Sequence, residues 1–447
     1  MTTLRLPPGP SVPWPLQAAY ALTRPRRGVQ RIRAKYGTAF TVQTPVFGKA
    51  VVLSDPAEIK QLFQAGADVV DNVEPNLGRV LGPGSMFALA GAEHHKQRKL
   101  LVPPFHGRRL AAYEKIMAAA TAREFATWPE GREFATLPSM MRITLDIILR
   151  AVFGAEGAEF DRLRDLLPRW VKLGSQLAVL PVPQLDWGRW SPWGRFRIMR
   201  REYDAIVERL ITKAEREGHL DDREDILALM LQARYDDGTP MRHRDVADQL
   251  LTLLTAGHET TATTLAWTIE RLRRHPAVLQ ALSDEEDAGG KALREATIVE
   301  VQRTRPVIDV VGRTIKAEGY RLGRWTLPEG MVVLVSIALL HEDPQLFPDP
   351  QTFDPHRFAT AKPNLYHWVP FGGGSRRCLG AAFANMEMNV VLRTLVRDFD
   401  LAATTAPGEA PHSRGIANAP GKGGLAVVRR RSTDPASPAS AAAAGAG

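Results

Sequence analysis

Residues 369–388 read VPFGGGSRRCLGAAFANMEM and hold three consecutive glycines, two arginines and the only cysteine of the 447 residues. A dinucleotide fingerprint starting at Gly372 requires glycine where Arg377 stands, and the Gly-Lys-Ser/Thr ending of a P-loop is absent. Glycines let backbone N–H groups turn toward one point, and a helix starting just after Cys378 adds the positive end of its dipole. A lone cysteine is more often an inert buried thiol, but this loop predicts a stabilised thiolate that ligates iron.

The composition is that of an ordinary globular protein, with 44% apolar and 24% charged residues. One cysteine excludes an internal disulfide and any CxxC motif. No apolar run approaches the roughly 20 residues that span a bilayer, and the N-terminus lacks the apolar run of a signal peptide. We therefore expect a cytoplasmic protein without a transmembrane anchor.

The formal charge of +9 is compatible with an acidic partner or with a solvated basic surface. The short basic clusters at 24–27 and 427–432 lack the interleaved aromatic residues of a nucleic-acid-binding face. We expect no nucleic-acid partner.

The domain organisation is predicted to be one large, mainly helical domain with a minor β part. Residues 1–15 are too rich in proline for a helix or a strand and form an extended lead-in. Residues 16–430 form the domain itself. The low-complexity residues 431–447 are predicted to be a disordered tail.

Hydrophobic periodicity places the main elements along the chain. Helices are predicted over 137–154 and over 243–275, and a last helix begins near Leu379. Short strands are predicted over 38–55 and 320–336. Residues 182–196, with three tryptophans, two prolines and two glycines, are predicted to form an apolar loop.

A second constellation, LLTAGHETTATTL, occupies residues 253–265 of the long helix. His258 and Glu259 resemble the start of a His-Glu-x-x-His zinc motif, but alanine stands at the second histidine position, so this zinc site is excluded. An acid followed by threonines in an apolar helix is costly unless it is hydrogen-bonded, and Gly257 weakens the helix there. We expect a bulge that holds water, from which Glu259 and Thr260 relay protons into an apolar cavity. The alternative is an amphipathic helix with an exposed glutamate.

These motifs resemble those of the cytochrome P450 haem-thiolate monooxygenases. The family's Phe-x-x-Gly-x-Arg-x-Cys-x-Gly signature is matched at every defined position, by Phe371, Gly374, Arg376, Cys378 and Gly380. The resemblance implies a single-domain cytochrome P450 fold with a long central helix over haem b, iron protoporphyrin IX. It further implies that Cys378 is the axial iron ligand and that Arg376 pairs with a haem propionate. Phe371, Gly372, Gly380 and Ala384 are expected to border the haem.

Residues 256–260 of the central helix match the family's Ala/Gly-Gly-x-Asp/Glu-Thr motif. This implies that Glu259 and Thr260 are catalytic and supply the protons needed for O–O cleavage, while Ala256 lies against the distal haem face. His258 occupies a variable position of the motif and is given no catalytic role.

A structural triad follows from the same resemblance. Glu300 and Arg303 lie three residues apart on one helical face, an arrangement that on its own indicates a surface ion pair contributing under about 1 kcal/mol. The family's Glu-x-x-Arg motif instead implies a buried triad, which Arg357 completes. We assign these three residues to the architecture of the haem pocket and not to its chemistry.

Cations that bind the haem propionates are also implied. His94 and Arg98 lie four residues apart on one helical face and match the family's Gly-x-x-His-x-x-x-Arg contacts. His95 is the less favoured partner because it lies only three residues from Arg98. Arg313 matches the propionate-binding arginine downstream of Glu-x-x-Arg. Each cation alone would be interpreted as a solvated surface charge.

The implied activity is insertion of one oxygen atom of O2 into a hydrophobic substrate, by hydroxylation or epoxidation. Electrons would pass from NAD(P)H through a ferredoxin reductase and a ferredoxin, since the chain has no room for a fused reductase. The expected docking residues for an acidic ferredoxin are Lys96, Lys99, Arg108, Arg109 and Arg377. A peroxygenase and a non-catalytic haem sensor are the alternatives, and the acid–alcohol pair argues against both.

The substrate pocket is predicted to be apolar. Its expected segments are 76–89, the loop before 196 and 306–311, and its expected lining residues are Phe87, Ala256, Val307 and Val310. This composition favours a fatty acid, terpenoid, steroid or polyketide without choosing among them. The tryptophans of 187–193 line the pocket entrance, rest on a membrane surface or form a plain packed loop.

Overall fold

The computed structural model describes residues 3–13, 15, 17, 25–73, 77–105, 107–154, 157–179, 184–360 and 362–431. The predicted disordered tail, apart from Arg431, lies outside these residues. Residues 3–13 run over the sheet side of the molecule in an extended conformation. Arg5 exchanges two backbone hydrogen bonds with Thr326 (3.0 and 2.9 Å), and the carbonyl of Pro8 accepts from the amide of Thr41 (3.0 Å).

The described chain is mainly helical, which confirms the predicted fold class. Its α-helices in chain order are α1 Pro25–Tyr36, α2 Pro56–Gln64, α3 Gly78–Leu81, α4 Gly91–Leu101, α5 Arg108–Phe125, α6 Leu137–Phe153, α7 Ala158–Val179, α8 Pro192–Glu217, α9 Ile226–Gln232, α10 His243–Leu272, α11 Pro276–Asp287, α12 Ala292–Thr304, α13 Ile337–His341 and α14 Ala381–Asp398. The helices predicted over 137–154 and 243–275 are α6 and α10. Helix α6 ends where Gly154 adopts a left-handed conformation (φ 69°), a common helix stop.

The strands are short. In chain order they are β1 Ala39–Thr44, β2 Gly48–Leu53, β3 Val70–Asn72, β4 Phe134–Ala135, β5 Val310–Ile315, β6 Tyr320–Leu322, β7 Trp325–Leu327, β8 Val332–Ser336, β9 Phe399–Leu401, β10 Pro411–Ser413, β11 Asn418–Pro420, β12 Leu425–Ala426 and β13 Val428–Arg430. Five of them form a mixed sheet in the order β1-β2-β8-β5-β3, in which β2 and β8 are parallel and the other neighbours antiparallel. Strand β5 brings Arg313 opposite Asn72 of β3.

Helix α10 is the centre of the helical part. It packs against α6 along much of its length and also contacts α12, α14 and the β10–β11 hairpin. Most of its side chains are buried, and several of the apolar ones, among them Leu250, Leu254 and Leu265, belong to one large apolar cluster. Because α10 is buried on nearly every side, its polar residues, such as Asp248, His258 and Glu259, need hydrogen-bond partners within the protein.

The tryptophan-rich stretch differs from its prediction. Residues 188–190 form a 3₁₀ turn, and α8 begins at Pro192, so the last five residues of the predicted loop are helical. The reason is local: Ser191 caps the helix by accepting a hydrogen bond from the amide of Gly194 (3.1 Å), and proline is well tolerated at the first helical position. No helix in the described part of the chain is long and apolar enough to cross a membrane.

Candidate active site

The loop before α14 is shaped by close backbone contacts. A Cβ atom on Gly373 would lie 2.1 Å from Cδ2 of Phe63, and one on Gly374 would lie 2.2 Å from the carbonyl oxygen of Phe63. Gly374 also has a positive φ of 67°, which favours glycine. The loop returns on itself where the amide of Cys378 donates to the carbonyl of Phe371 (2.9 Å). These contacts explain why the stretch contains so many glycines.

Cys378 lies three residues before α14, at the positive end of the helix dipole. The residue has a large accessible surface, yet burial raises the pKa of its thiol, as expected for a side chain at the wall of a concave site. Three neighbours oppose this rise: the backbone N–H of Gly380, which donates to the sulfur, and the guanidinium groups of Arg377 and Arg98. The surroundings therefore provide groups that stabilise a thiolate.

Arg376 is nearly buried and holds the cysteine loop against the chain before α4. Its guanidinium donates to Asp71 (2.6 Å) and to the carbonyl oxygens of Met86 (3.0 Å) and Leu89 (2.7 Å). Burial favours the neutral form of Asp71, but hydrogen bonds from Arg376 and from the amides of Gly91 and Asn72 hold its pKa below the usual value. The Nε of Arg376 is buried and has no hydrogen-bond acceptor among the described residues.

Three further basic side chains share this region with Arg376. His94 of α4 is buried, and burial together with the nearby Arg376 lowers its pKa to about 4. Burial also lowers the pKa of Arg98, against the opposing effect of Cys378. Arg313 donates to the carbonyl of Gly373 (3.0 Å), and burial followed by repulsion from Arg376 lowers its pKa to about 10.

This arrangement fits a haem group. The arginines repel one another. Asp71 opposes this repulsion, because its negative charge raises the pKa of His94 and of Arg313. A ligand with two carboxylates would relieve that repulsion and offer an acceptor to Nε of Arg376. Gly380, where a Cβ would meet no atom within 4 Å, leaves open space beside the thiol. Ala384 follows one turn later in α14, and its amide donates to Gly380 (2.8 Å).

The central helix presents one accessible stripe. Between residues 246 and 272, α10 is buried except at Thr255 and at residues 253, 256, 257 and 260, and these last four share one helical face. Ala256 is exposed and Thr260 is partly exposed on this face. A helix that is buried elsewhere but open along one stripe is suited to border a ligand.

The predicted bulge at Gly257 is wrong, because α10 is a continuous α-helix through this segment. The Thr260 hydroxyl donates to the carbonyl of Ala256 at 2.7 Å, a back-bond that threonine makes without breaking the helix. A Cβ on Gly257 would lie 3.5 Å from Ile148, at ordinary contact distance, so the glycine lies against the side chain of α6.

Glu259 is buried and forms an ion pair that the sequence did not reveal. Its Oε1 accepts a hydrogen bond from Nε of Arg414 at 2.8 Å. The side chain of Glu259 is 8% exposed and that of Arg414, which follows β10, is 38% exposed. The exposed glutamate considered as the alternative for this helix is therefore wrong.

His258 anchors α10 to α6. The Thr144 hydroxyl lies 2.9 Å from the carbonyl oxygen and 3.1 Å from Nδ1 of His258. A hydroxyl has one proton, so when Thr144 donates to the carbonyl, Nδ1–H of His258 donates to Thr144. Burial, assisted by Arg414, lowers the pKa of His258 to about 4, so the ring is neutral at pH 7.

A cavity of about 650 Å³ lies between α5, α6, α7 and the outer side of α10. Its walls include His258 and Arg414, and its rim carries charged side chains such as Arg142, Asp146 and Arg164. The cavity thus reaches from the charged surface of the protein to the partner of Glu259.

Glu300, Arg303 and Arg357 come together, as the resemblance implied. Both carboxylate oxygens of Glu300 accept from Arg303 at 2.7 Å, and the two side chains are 0% exposed. Nε of Arg357 lies 3.5 Å from Oε1 of Glu300. Arg303 also donates to the carbonyl oxygens of His341, Pro350 and Thr352, so the triad joins α12 to the loop after α13.

The other expected residues are dispersed over several elements. Phe87 is half-buried, Val307 is buried, and Val310 at the start of β5 is 42% exposed. Of the expected docking residues, Lys96 pairs with Glu93 (3.0 Å) and Lys99 with Asp236 (2.6 Å), all exposed. Arg377 is exposed beside Cys378, whereas the side chains of Arg108 and Arg109 lie outside the described structure.

Sequence reasoning missed three groups of the site: Asp71, Arg414 and Glu387. Glu387 of α14 is fully buried, shares a hydrogen bond with Thr261 of α10, and burial raises its pKa well above the usual value. The sequence did indicate that such partners are needed, because a buried acid in a helix requires a hydrogen-bond partner and a cluster of basic side chains requires an anion. Nothing local identified which distant residue would supply either.

Comparisons with known proteins identify the family of this chain. A sequence model of the cytochrome P450 family matches residues 7–427. Cytochrome P450 138 of Mycobacterium tuberculosis is 51% identical over 428 residues, which cover 96% of this chain and 97% of that protein. Cytochrome P450 135B1 of the same organism is 38% identical over 457 residues, covering 100% of this chain and 96% of that protein.

Two solved structures have the same fold. The retinoic acid-bound cyanobacterial CYP120A1 has a TM-score of 0.83 at 25% identity and covers 96% of this chain and 100% of its own. The haem domain of cytochrome P450DA has a TM-score of 0.81 at 22% identity, with 96% and 99% coverage. The family match, the identities and the shared fold confirm the predicted family and enzyme class: this chain belongs to the cytochrome P450 family of haem monooxygenases.

Proposed function

We propose that this enzyme inserts one oxygen atom of O2 into a C–H or C=C bond of a hydrophobic substrate, with electrons from NAD(P)H delivered by a ferredoxin reductase and a ferredoxin. The observation that carries the proposal is that the Cys378 thiol lies next to a largely buried group of basic side chains. Cys378 interacts with Arg98, which interacts with Arg376, and Arg376 interacts with His94 and Arg313. We assign residues 16–430 to one haem domain in the cytoplasm.

In this proposal the residues of the chain bind haem at two places, the iron and the propionates. Cys378 supplies a thiolate ligand to the iron, assisted by the N–H of Gly380 and by the α14 dipole. His94, Arg98, Arg313 and Arg376 bind the two propionates. Haem, when bound, supplies the O2-binding and oxygen-transfer chemistry, and the thiolate increases its electron density.

Proton delivery is assigned to Thr260 and Glu259. The Thr260 hydroxyl now donates to Ala256, and rotation about χ1 would free it to donate into the space beside the accessible stripe of α10. Arg414 holds Glu259 in place and borders the cavity of about 650 Å³, which gives water a route from the surface. A proton would pass from that water to Glu259 and then to Thr260.

A hydrophobic substrate is supported by the side chains expected to surround it. Phe87, Val307, Val310 and Ala256 carry no polar group, so the surface they offer favours a fatty acid, terpenoid, steroid or polyketide. Retinoic acid, the ligand of the cyanobacterial relative, is an apolar isoprenoid acid and belongs to the same broad class.

Purified holoprotein tests the cofactor and the substrate separately. The absorbance spectrum of the wild type should show thiolate-ligated haem, and Cys378→Ser should lose that signature. An unchanged spectrum in Cys378→Ser would overturn the ligand assignment. Titration with the four lipophilic classes should then give a saturable low-to-high-spin shift with one of them, and no shift with any class would contradict the substrate assignment.

The electron donor is tested by charge reversal. A Lys96→Glu/Lys99→Glu double variant should slow reduction by ferredoxin several-fold at low salt, because both lysines are exposed on α4, the helix whose Arg98 interacts with Cys378. Lys172→Glu, an exposed change on α7, is the control and should reduce at the wild-type rate. Equal rates of reduction in the wild type, the double variant and Lys172→Glu would refute the proposed docking surface.

A further inference from the structure

The start of α8 carries an exposed apolar patch. Leu185, Trp187, Trp190 and Ile198 are 49%, 67%, 79% and 41% exposed, and we call these four residues the tryptophan patch. Two tryptophans exposed this far within four residues are unusual, because large aromatic side chains normally bury most of their surface. The patch therefore requires an explanation.

The outward orientation of these side chains is built into the fold. Trp193, from the same stretch, is 3% exposed and packs edge-on against Phe196, with ring centroids 5.7 Å apart. Ser191 fixes the turn by donating to the carbonyl of Leu185 (2.9 Å) and accepting from the amide of Trp187 (3.0 Å). One tryptophan thus anchors the segment while its two neighbours are held facing solvent.

The charges around the patch are mostly positive. Residues 184–201 contain five arginines and one acid, Asp186, which pairs with Arg197 at 2.9 Å. Arg200 points inward to Asp204 and Asp248, whereas Arg189, Arg195 and Arg201 are exposed. The guanidinium of Arg189 lies 4.8 Å from the ring centre of Trp190, so charge and aromatic surface occupy the same spot.

We infer that the tryptophan patch docks this enzyme on the surface of an anionic lipid bilayer. Indole rings prefer the boundary between headgroups and acyl chains, and arginines beside them bind lipid phosphates. A second copy of the chain is disfavoured as the occupant, since a symmetric contact would bring the same exposed arginines face to face. The binding is peripheral and reversible, and it extends beyond the proposed oxygen insertion without depending on it.

Cosedimentation with vesicles tests this docking directly. The full-length holoprotein is spun with vesicles of phosphatidylglycerol and phosphatidylcholine in equal parts, and separately with phosphatidylcholine alone. Trp187→Ser/Trp190→Ser should lower binding to the anionic vesicles at least tenfold, and Arg189→Glu should lower it by about fivefold or more, as expected for about 1 kcal/mol per arginine. Binding should weaken as salt is added.

Leu365→Ser is the matched control, because Leu365 is 61% exposed but lies outside the patch. This variant should bind vesicles like the wild type, and the absorbance spectra of all variants should be unchanged, which separates docking from loss of folding. Docking is overturned when the wild type stays in the supernatant, or when the tryptophan variant binds equally well. A wild-type dimer in ultracentrifugation that the tryptophan variant abolishes, without vesicle binding, would also overturn it and identify a second copy as the occupant.

Discussion

The ion pair between Glu259 and Arg414 allows a quantitative test of how the acid of the central helix is held. The pair joins Oε1 of Glu259 to Nε of Arg414 at 2.8 Å, with one side chain 8% and the other 38% exposed. Hydrogen bonds to charged groups contribute about 1.5–3 kcal/mol, and fully exposed ion pairs contribute about 0.2–1 kcal/mol. Because Arg414 is partly solvated, we expect Arg414→Ala to lower the free energy of unfolding by about 1–2 kcal/mol.

A double-mutant cycle isolates this interaction. Urea unfolding of the wild type, Arg414→Ala, Glu259→Gln and the double variant should give a coupling energy of about 1–2 kcal/mol. The exposed pair between Arg209 and Glu159 is the matched control, with hydrogen bonds of 2.7 and 2.9 Å, and its coupling should be clearly smaller because solvent screens it. A Glu259–Arg414 coupling below about 0.3 kcal/mol would refute the reasoning.

The same variants have a functional readout. If Arg414 positions Glu259 for proton delivery, Arg414→Ala should form less product and more hydrogen peroxide per NAD(P)H consumed, and Arg414→Lys should restore part of the coupling of electrons to product. A structural role alone would change stability but leave the ratio of peroxide to product unaltered. An unchanged ratio in Arg414→Ala would exclude the positioning role.

Three other perturbations have predictable outcomes. Gly374→Ala should lower the free energy of unfolding by well over the roughly 1–2 kcal/mol expected from a positive φ, because its Cβ would lie 2.2 Å from the carbonyl oxygen of Phe63. The control Gly330→Ala, with φ 79° and no atom within 4 Å, should show only the cost of the positive φ, and equal losses of the two variants in urea unfolding would contradict this. Relative to the wild type, Glu387→Gln should become more stabilising as pH rises, by at most about 1.4 kcal/mol per pH unit, because burial raises the pKa of Glu387 and the wild type loses stability above the unfolded-state pKa of 4.5. A difference in Tm between the two proteins that does not change with pH would argue against a neutral buried acid. As pH falls from 6.5 to about 4, the wild type should lose up to about 1.4 kcal/mol of stability per pH unit that His258→Asn does not lose, because the unfolded chain protonates this histidine near pH 6.5 and the folded chain only near its pKa of about 4. Parallel curves of stability against pH for the two proteins would disprove this.

The features predicted correctly from the amino-acid sequence are those encoded within a few residues. The family signature in the cysteine loop is one, because its glycines, arginine and thiol are contiguous and the backbone angles they allow are a local property. Helices α6 and α10 are others, since a long apolar period and a terminal glycine or proline suffice to predict them. The error at residues 188–196 was also local: a serine cap and a proline begin a helix within an aromatic stretch that resembled a loop.

Interactions across long stretches of chain depended on the tertiary structure. Arg414 reaches Glu259 over 155 positions, and Asp71 reaches Arg376 over 305. The sequence indicated that a buried acid and a cluster of cations need partners, yet many acids and arginines along the chain could have met that need. Packing of the β10–β11 hairpin against α10, and of the cysteine loop against the segment before α4, chose among them. Local composition sets backbone conformation at short range, whereas the pairing of buried charges is decided by which surfaces the folded chain brings together.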